Sequence, residues 1–103
     1  MHQILIVEDE PDIAESLRYN FERDGFKTQI AESGEKGLRL ALNENYPPSL
    51  IILDLMLPDM DGYDVLKNLR AAKIATPILI LSGLSELDNK IKGLGFGADD
   101  YLT

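Results

Sequence analysis

Three carboxylates stand at positions where charge seldom serves stability. The run Ser49-Leu50-Ile51-Ile52-Leu53-Asp54 carries four large apolar residues in succession and ends abruptly in Asp54. A second apolar run, Ile4-Leu5-Ile6-Val7, ends the same way in Glu8 and Asp9. Each run reads as a strand buried on both faces, and desolvating an anion at the tip of such a strand costs several kcal/mol unless something compensates it. In parallel α/β sheets the carboxyl ends of the strands are where ligands bind. If the first and third strands are neighbours, the three acids share one crevice. At ~5 Å separation and an effective dielectric of ~20, each like-charge pair repels by roughly 3 kcal/mol. Such a cluster calls for a cation. Carboxylate and carbonyl oxygens without His or Cys favour a hard ion, Mg²⁺ before Ca²⁺. A carboxylate beside Mg²⁺ can attack a phosphoryl group, because the metal neutralises charge on nucleophile and phosphate together. Any one of these acids alone reads better as a helix cap; the trio points to a cation site with a reactive carboxylate.

The elements that must position them follow from periodicity. Gln3–Glu8 reads as a buried strand. Pro11 suits a first helical turn, where its missing N–H would be unbonded anyway. Ile13, Leu17 and Phe21 recur at four-residue spacing, and Gly25 marks the stop. Phe26, Thr28 and Ile30 alternate as a shorter strand. Ser33 is expected to cap a second helix with Gly34, Gly37, Leu38, Ala41 and Leu42 inward, ended by Pro47-Pro48. The strand Leu50–Asp54 and a turn-rich loop through Gly62 come next, with Pro58 and Gly62 shaping that loop. Tyr63–Ala72 reads as a third helix with Val65, Leu66 and Leu69 inward, and Pro77–Leu81 as a fourth strand. Ser85-Glu86-Leu87-Asp88 has a capping-box pattern opening a fourth helix that carries Leu87, Ile91 and Leu94. Asp100–Thr103 begins a fifth strand. Strand–helix alternation with short connections implies parallel strands, right-handed crossovers and helices on both sheet faces. The fold expected is a doubly wound α/β domain.

Composition agrees. With 103 residues, the chain is expected to form one domain over 1–103, burying roughly 60–70% of its unfolded surface. Apolar residues make up 45% of it, too many for disorder and too evenly spread for a membrane span. Met1 leads directly into the first strand, so no signal or transit peptide is expected. The lack of cysteine excludes a disulfide scaffold and thiolate metal sites and fits a cytoplasmic protein. A net charge of −8 argues against this chain alone holding a nucleic-acid backbone. No internal repeat, low-complexity tract or linker is visible.

Four blocks, in order, resemble the receiver domain of bacterial two-component response regulators over essentially the whole chain. They are Ile4-Leu5-Ile6-Val7-Glu8-Asp9-Glu10, Asp54-Leu55-Met56-Leu57-Pro58-Asp59-Met60-Asp61-Gly62, Pro77-Ile78-Leu79-Ile80-Leu81-Ser82-Gly83 and Gly97-Ala98-Asp99-Asp100-Tyr101-Leu102-Thr103. The last block looks most like the branch whose receivers precede a winged-helix DNA-binding domain. The resemblance implies a flavodoxin-like (CheY-like) five-stranded parallel sheet of order 2-1-3-4-5. It implies that Asp54 takes a phosphoryl group from a sensor histidine kinase. Asp9 and Asp54 would ligate Mg²⁺ through side chains, Met56 through its backbone carbonyl and Glu8 through a bound water. Ser82 would be the switch hydroxyl and Tyr101 the aromatic switch, and their motion would alter the surface of the fourth helix and fifth strand, used for homodimerisation and output. DNA would be reached only through an output domain. No membrane partner is implied.

One departure accompanies the match. In the family a Lys-Pro pair follows the position of Thr103, and that lysine pairs with the phosphoryl group; neither it nor the final helix is in this sequence. Three or four missing aliphatic side chains would forfeit on the order of 5–10 kcal/mol of burial. The expectation is therefore a piece of a longer chain, or a truncation covered by a partner, with poor phosphoryl retention if Thr103 is a true terminus. Two rival functions share part of this pattern. A phosphatase of the haloacid-dehalogenase type also uses an aspartyl phosphate, but needs a second acid where Met56 stands. The alternative is a pseudo-receiver serving only as an interaction module without stable phosphorylation: the intact Glu8, Asp9, Asp54 and Ser82 argue against it, and the absent lysine argues for it. Elsewhere the plain readings prevail: His2 is solvent-facing, and Lys67, Arg70 and Lys73 form a solvated helix face. Gly93, Gly95 and Gly97 follow a helix instead of opening one, so they form no nucleotide loop.

Overall fold

The computed structural model describes residues 2–43 and 45–81 in full, and the backbone of residues 100–102. These residues form β1 (Gln3–Val7), α1 (Pro11–Arg23), β2 (Lys27–Ala31), α2 (Gly34–Ala41), β3 (Leu50–Asp54), α3 (Gly62–Ala71), β4 (Ile78–Leu81) and β5 (Asp100–Leu102). The expected fourth helix from Ser85 and the three glycines after it lie outside the described residues, as does Thr103.

The strands form one parallel sheet of order β2-β1-β3-β4-β5, as the family resemblance implied. Alternation of side chains along a strand divides its apolar residues between two layers. Leu5, Val7, Ile51, Leu53, Ile78 and Ile80 face a layer filled by Ala41 of α2 and by Tyr63, Val65, Leu66 and Leu69 of α3. Ile4, Ile6 and Ile52 face the opposite layer with Ala14, Leu17 and Phe21 of α1. The central strands β1 and β3 are thus covered on both sides, which is why they are near-continuous aliphatic runs. Burial of each such side chain contributes about 1.5–3 kcal/mol.

The starts of α1 and α2 follow the expected chemistry, and α3 has a cap of its own. Pro11 opens α1. The Ser33 hydroxyl accepts from the Lys36 N–H at 3.2 Å at the start of α2. The Asp61 carboxylate accepts from the Tyr63 N–H at 2.9 Å at the start of α3.

Helix faces are less well anticipated at three positions. Ile13 is 44% exposed, and Ala14 takes the buried place beside Leu17 and Phe21. One residue is a rotation of 100° on a helix, and the smaller alanine lets the backbone approach the sheet. Leu42 is 45% exposed because α2 ends at Ala41, well before the two prolines, leaving Leu42 as its C-cap. Arg70 is half-buried, not solvated: its Nη1 donates to the carbonyls of Ile74 and Thr76 at 2.7 and 3.0 Å. His2 is exposed, within 3.3 Å of the Ser49 hydroxyl.

Candidate metal centre

The β1–β3 register pairs Ile4 with Leu50 and runs through Val7 and Leu53. Continuing it by one residue brings Glu8 level with Asp54. The ladder to β2 also extends past β1, since the Glu8 N–H donates to the Ala31 carbonyl at 2.9 Å. Backbone bonding on both flanks therefore fixes where the Glu8 side chain begins.

One carboxylate oxygen from each of Glu8, Asp9 and Asp54 lies within 4.8 Å of the others. The three differ in exposure. Glu8 is buried at 3% exposure, Asp54 is half-buried and Asp9 is exposed. Burial raises the Glu8 carboxyl from its ordinary 4.5 to about 7, opposed by a hydrogen bond from the Glu10 N–H at 3.1 Å and reinforced by Asp54. The site thus holds a carboxyl that resists ionisation, chiefly because it is buried. The ion pairs found among the described residues, Arg18–Glu15, Arg23–Asp24 and Lys36–Glu32, all lie outside the cluster. A divalent cation fits this donor set, because it supplies the missing positive charge to converging hard oxygens. A cleft of about 560 Å³ opens beside Glu8 and Asp9, walled by α1, β2 and α2.

The loop after β3 completes the surroundings. The Met56 N–H donates to Asp54 Oδ1 at 3.3 Å, which orients the carboxylate. The Met56 side chain is 65% exposed and takes no part in the core. Met56 bridges Asp61 in antiparallel fashion, and the Gly62 N–H donates to the Leu55 carbonyl at 2.9 Å. A Cβ at position 62 would overlap the Asp54 carbonyl oxygen and stand 2.7 Å from Leu55 Cα. The expected shaping role of Gly62 is therefore a steric one: α3 begins directly against the backbone of the candidate nucleophile.

The structure thus brings Glu8, Asp9 and Asp54 together, with Met56 adjoining. Ser82 lies outside the described residues. Tyr101 is described only as backbone, paired with Ile80 across β4 and β5. Sequence reasoning missed Asp59. Its carboxylate accepts from the N–H groups of Gly34 and Glu35 at 2.7 and 3.0 Å, joining the β3–α3 loop to the start of α2. Those amides hold its carboxyl below the ordinary 3.8. A run of turn residues was the only sign in the sequence, and it does not name a partner 25 positions away.

Comparison with known proteins agrees with this geometry. The chain matches the family described as "Response regulator receiver domain" over residues 4–103. It is 46% identical over 101 residues to the cell cycle response regulator CtrA of Brucella ovis, and equally so to that of Brucella anthropi, covering 98% of this chain and 43% of each relative. The chain therefore spans less than half the length of these curated relatives. Among solved structures, the receiver domain of the Francisella response regulator 1452 superposes with a TM-score of 0.91 at 41% identity, covering 100% of this chain and 84% of that one. The BeF3-activated N-terminal receiver domain of Klebsiella pneumoniae RstA gives 0.89 at 29% identity, covering 98% and 84%. Among the described residues no helix is long and apolar enough to cross a membrane. With a matching fold, a matching sequence and an acidic cluster consistent with a phosphorylation site, this chain belongs to the response regulator receiver domain family, whose members are signalling modules and not classical enzymes.

Proposed function

We propose that this chain is a phosphorylation-dependent switch, a single receiver unit acting in the cytoplasm, in which Asp54 accepts a phosphoryl group from a sensor histidine kinase. The observation that carries this reading is the convergence of Glu8, Asp9 and Asp54 within 4.8 Å at the tips of two neighbouring parallel strands. Asp9 and Asp54 would hold Mg²⁺ through their side chains, Met56 through its backbone carbonyl and Glu8 through a bound water. When bound, the ion supplies neutralisation of charge on the phosphoryl oxygens. The Asp54 carboxylate attacks phosphorus in line with the donor nitrogen. The phosphorus–nitrogen bond breaks, the imidazole leaves with the electron pair and takes up a proton, and Asp54 becomes an acyl phosphate. The Met56 N–H on Asp54 Oδ1 restrains the carboxylate while this happens.

Ser82 is the hydroxyl that would then bond a phosphoryl oxygen, and Tyr101 the aromatic that follows it inward. Their movement changes the face formed by the fourth helix and β5, through which the chain would pair with a second copy. Such a bistable element biased by new charge-assisted hydrogen bonds is the ordinary working of a phosphorylation switch. Transcriptional output would come from an attached DNA-binding domain; the CtrA relatives extend well beyond the matched region.

The test is incubation of the full chain with acetyl phosphate and Mg²⁺, followed by intact-mass measurement. One phosphoryl group per chain is expected, absent after chelation and absent in Asp54→Ala. Ser82→Ala and Tyr101→Ala are expected to accept the group yet lose phosphorylation-dependent dimerisation in analytical ultracentrifugation. A Mg²⁺-saturated chain that includes the lysine expected after Thr103 and never gains the phosphoryl mass ends this reading.

A further inference from the structure

The β3–α3 loop is tied down at two places of different kind. At its ends, the Met56–Asp61 bridge and the Gly62-to-Leu55 hydrogen bond close it on itself. At its middle, Asp59 reaches out of the loop to a different element, with one carboxylate oxygen on the Gly34 N–H and the other on the Glu35 N–H. These are two of the orphan donors that open α2, and an anion there is favoured by the helix dipole as well. The neighbouring Met60 side chain lies against Gly34, so closely that a Cβ on residue 34 would overlap it. α2 is itself seated on the layer shared with β1 through Ala41 and Leu38. The loop is thereby anchored to the scaffold by the residue three positions after Met56.

Met56 is the point where this anchoring reaches the acidic cluster, because its N–H donates to Asp54 Oδ1. That bond is 3.3 Å long, so a small displacement of the loop is enough to break it. Resting on the function proposed above, we propose that Asp59 is a positioning residue for the cation site. By clamping the loop to α2, it sets the placement of Met56 and the rotation of the Asp54 carboxylate. Asp59 touches neither cation nor phosphoryl group; it acts through the loop. The depressed Asp59 carboxyl keeps the clamp charged throughout the neutral range. Coupling between two sites is reciprocal, so occupying the cation site should in turn tighten the clamp.

The experiment is calorimetric titration of the full chain with Mg²⁺ alone, for wild type, Asp59→Ala, Asp59→Asn and Ser33→Ala, with amide hydrogen exchange of Gly34 and Glu35 as a second readout. Asp59→Ala is expected to weaken Mg²⁺ binding about fivefold or more. Asp59→Asn keeps one amide-accepting oxygen and is expected to recover part of that loss. Ser33→Ala removes the other side-chain cap of α2, the bond to the Lys36 N–H, without cutting the loop from the helix. It is expected to stay within twofold of wild type. In wild type, Mg²⁺ should slow exchange at Gly34 and Glu35; in Asp59→Ala it should not. Unchanged Mg²⁺ affinity in Asp59→Ala and Asp59→Asn, beside a wild type that binds normally, overturns the positioning role and leaves the proposed function standing. A wild type that fails to bind Mg²⁺ overturns both. Equal weakening by Ser33→Ala also overturns it, by reducing Asp59 to a support of helix stability.

Discussion

Glu8 is the residue on which the electrostatics of the site turn. It is the buried member of the acidic trio, and burial together with Asp54 lifts its carboxyl to about 7. The folded chain therefore holds a proton that the unfolded chain, titrating near 4.5, has already released. Without metal, this contribution to stability is full below about 4.5 and is lost as pH rises through about 7. Glu8→Gln removes both the titration and a like-charge repulsion, so the metal-free variant is expected to be more stable than wild type at pH 8 and to show a flatter stability profile between pH 5 and 8. Urea denaturation across that range measures both. Gly62 makes a separate, steric demand. A Cβ there would overlap the Asp54 carbonyl, so Gly62→Ala is expected to cost about 1–3 kcal/mol by overpacking. The displaced strand end should also shift the amide resonances of Asp54 and Leu55.

Helix ends show at the scale of elements what a sequence reveals and what it conceals. α1 and α3 close by the same hydrogen-bond motif. In α1 the Phe26 N–H reaches back to the Phe21 carbonyl and the Gly25 N–H to that of Glu22, each at 3.1 Å; in α3 Ile74 reaches Leu69 and Lys73 reaches Arg70, each at 3.0 Å. The motif needs a left-handed residue at its corner, which is Gly25 at φ 95° in one helix and Lys73 at φ 63° in the other. Lys73→Gly is expected to stabilise the chain by about 0.5–1 kcal/mol, the left-handed penalty less the greater flexibility of glycine when unfolded. A higher urea midpoint with unchanged slope is the check. Arg70→Met should lose stability by about 1–3 kcal/mol, because the Ile74 and Thr76 carbonyls are left without their donor. Gly25 announced its stop in the sequence; Lys73 did not, since nothing about a lysine marks that backbone conformation. The same division runs through the rest of the chain. β1, β3 and the inward face of α3 were legible because unbroken aliphatic runs and 3.6-residue spacing are local signals. Ile13 was misjudged because the choice between it and Ala14 depends on how closely α1 approaches the sheet. Glu8, Asp9 and Asp54 were legible as acids ending apolar runs, whereas Asp59 serves through a contact that only the folded loop creates.

At the scale of the whole molecule, the acidic trio adds to a chain that already carries a net charge of −8. Diffuse self-repulsion of this kind is relieved by any salt; the repulsion inside the 4.8 Å cluster is relieved by a proton on Glu8 or by an ion that occupies the cluster. The two effects separate experimentally. Mg²⁺ at a hundredfold excess over its dissociation constant is expected to add about 2.7 kcal/mol to the unfolding free energy. NaCl of equal ionic strength should add much less, and Asp9→Asn should bring the response to Mg²⁺ close to that of NaCl. The proton on Glu8 refines this further. A proton on Glu8 removes a negative charge that favours the neighbouring cation, so stabilisation by a fixed Mg²⁺ concentration should grow as pH rises through about 7 and shrink as it falls toward 5. That trend is opposite in sign to the pH dependence of the metal-free chain, and with Mg²⁺ saturating the two should nearly cancel. Thermal denaturation at pH 5, 6, 7 and 8, with Mg²⁺ and with chelator, tests the point directly. Parallel profiles would mean that the cation binds somewhere other than among Glu8, Asp9 and Asp54, whereas profiles converging at low pH would tie the overall stability of the fold to the occupancy of this one cluster.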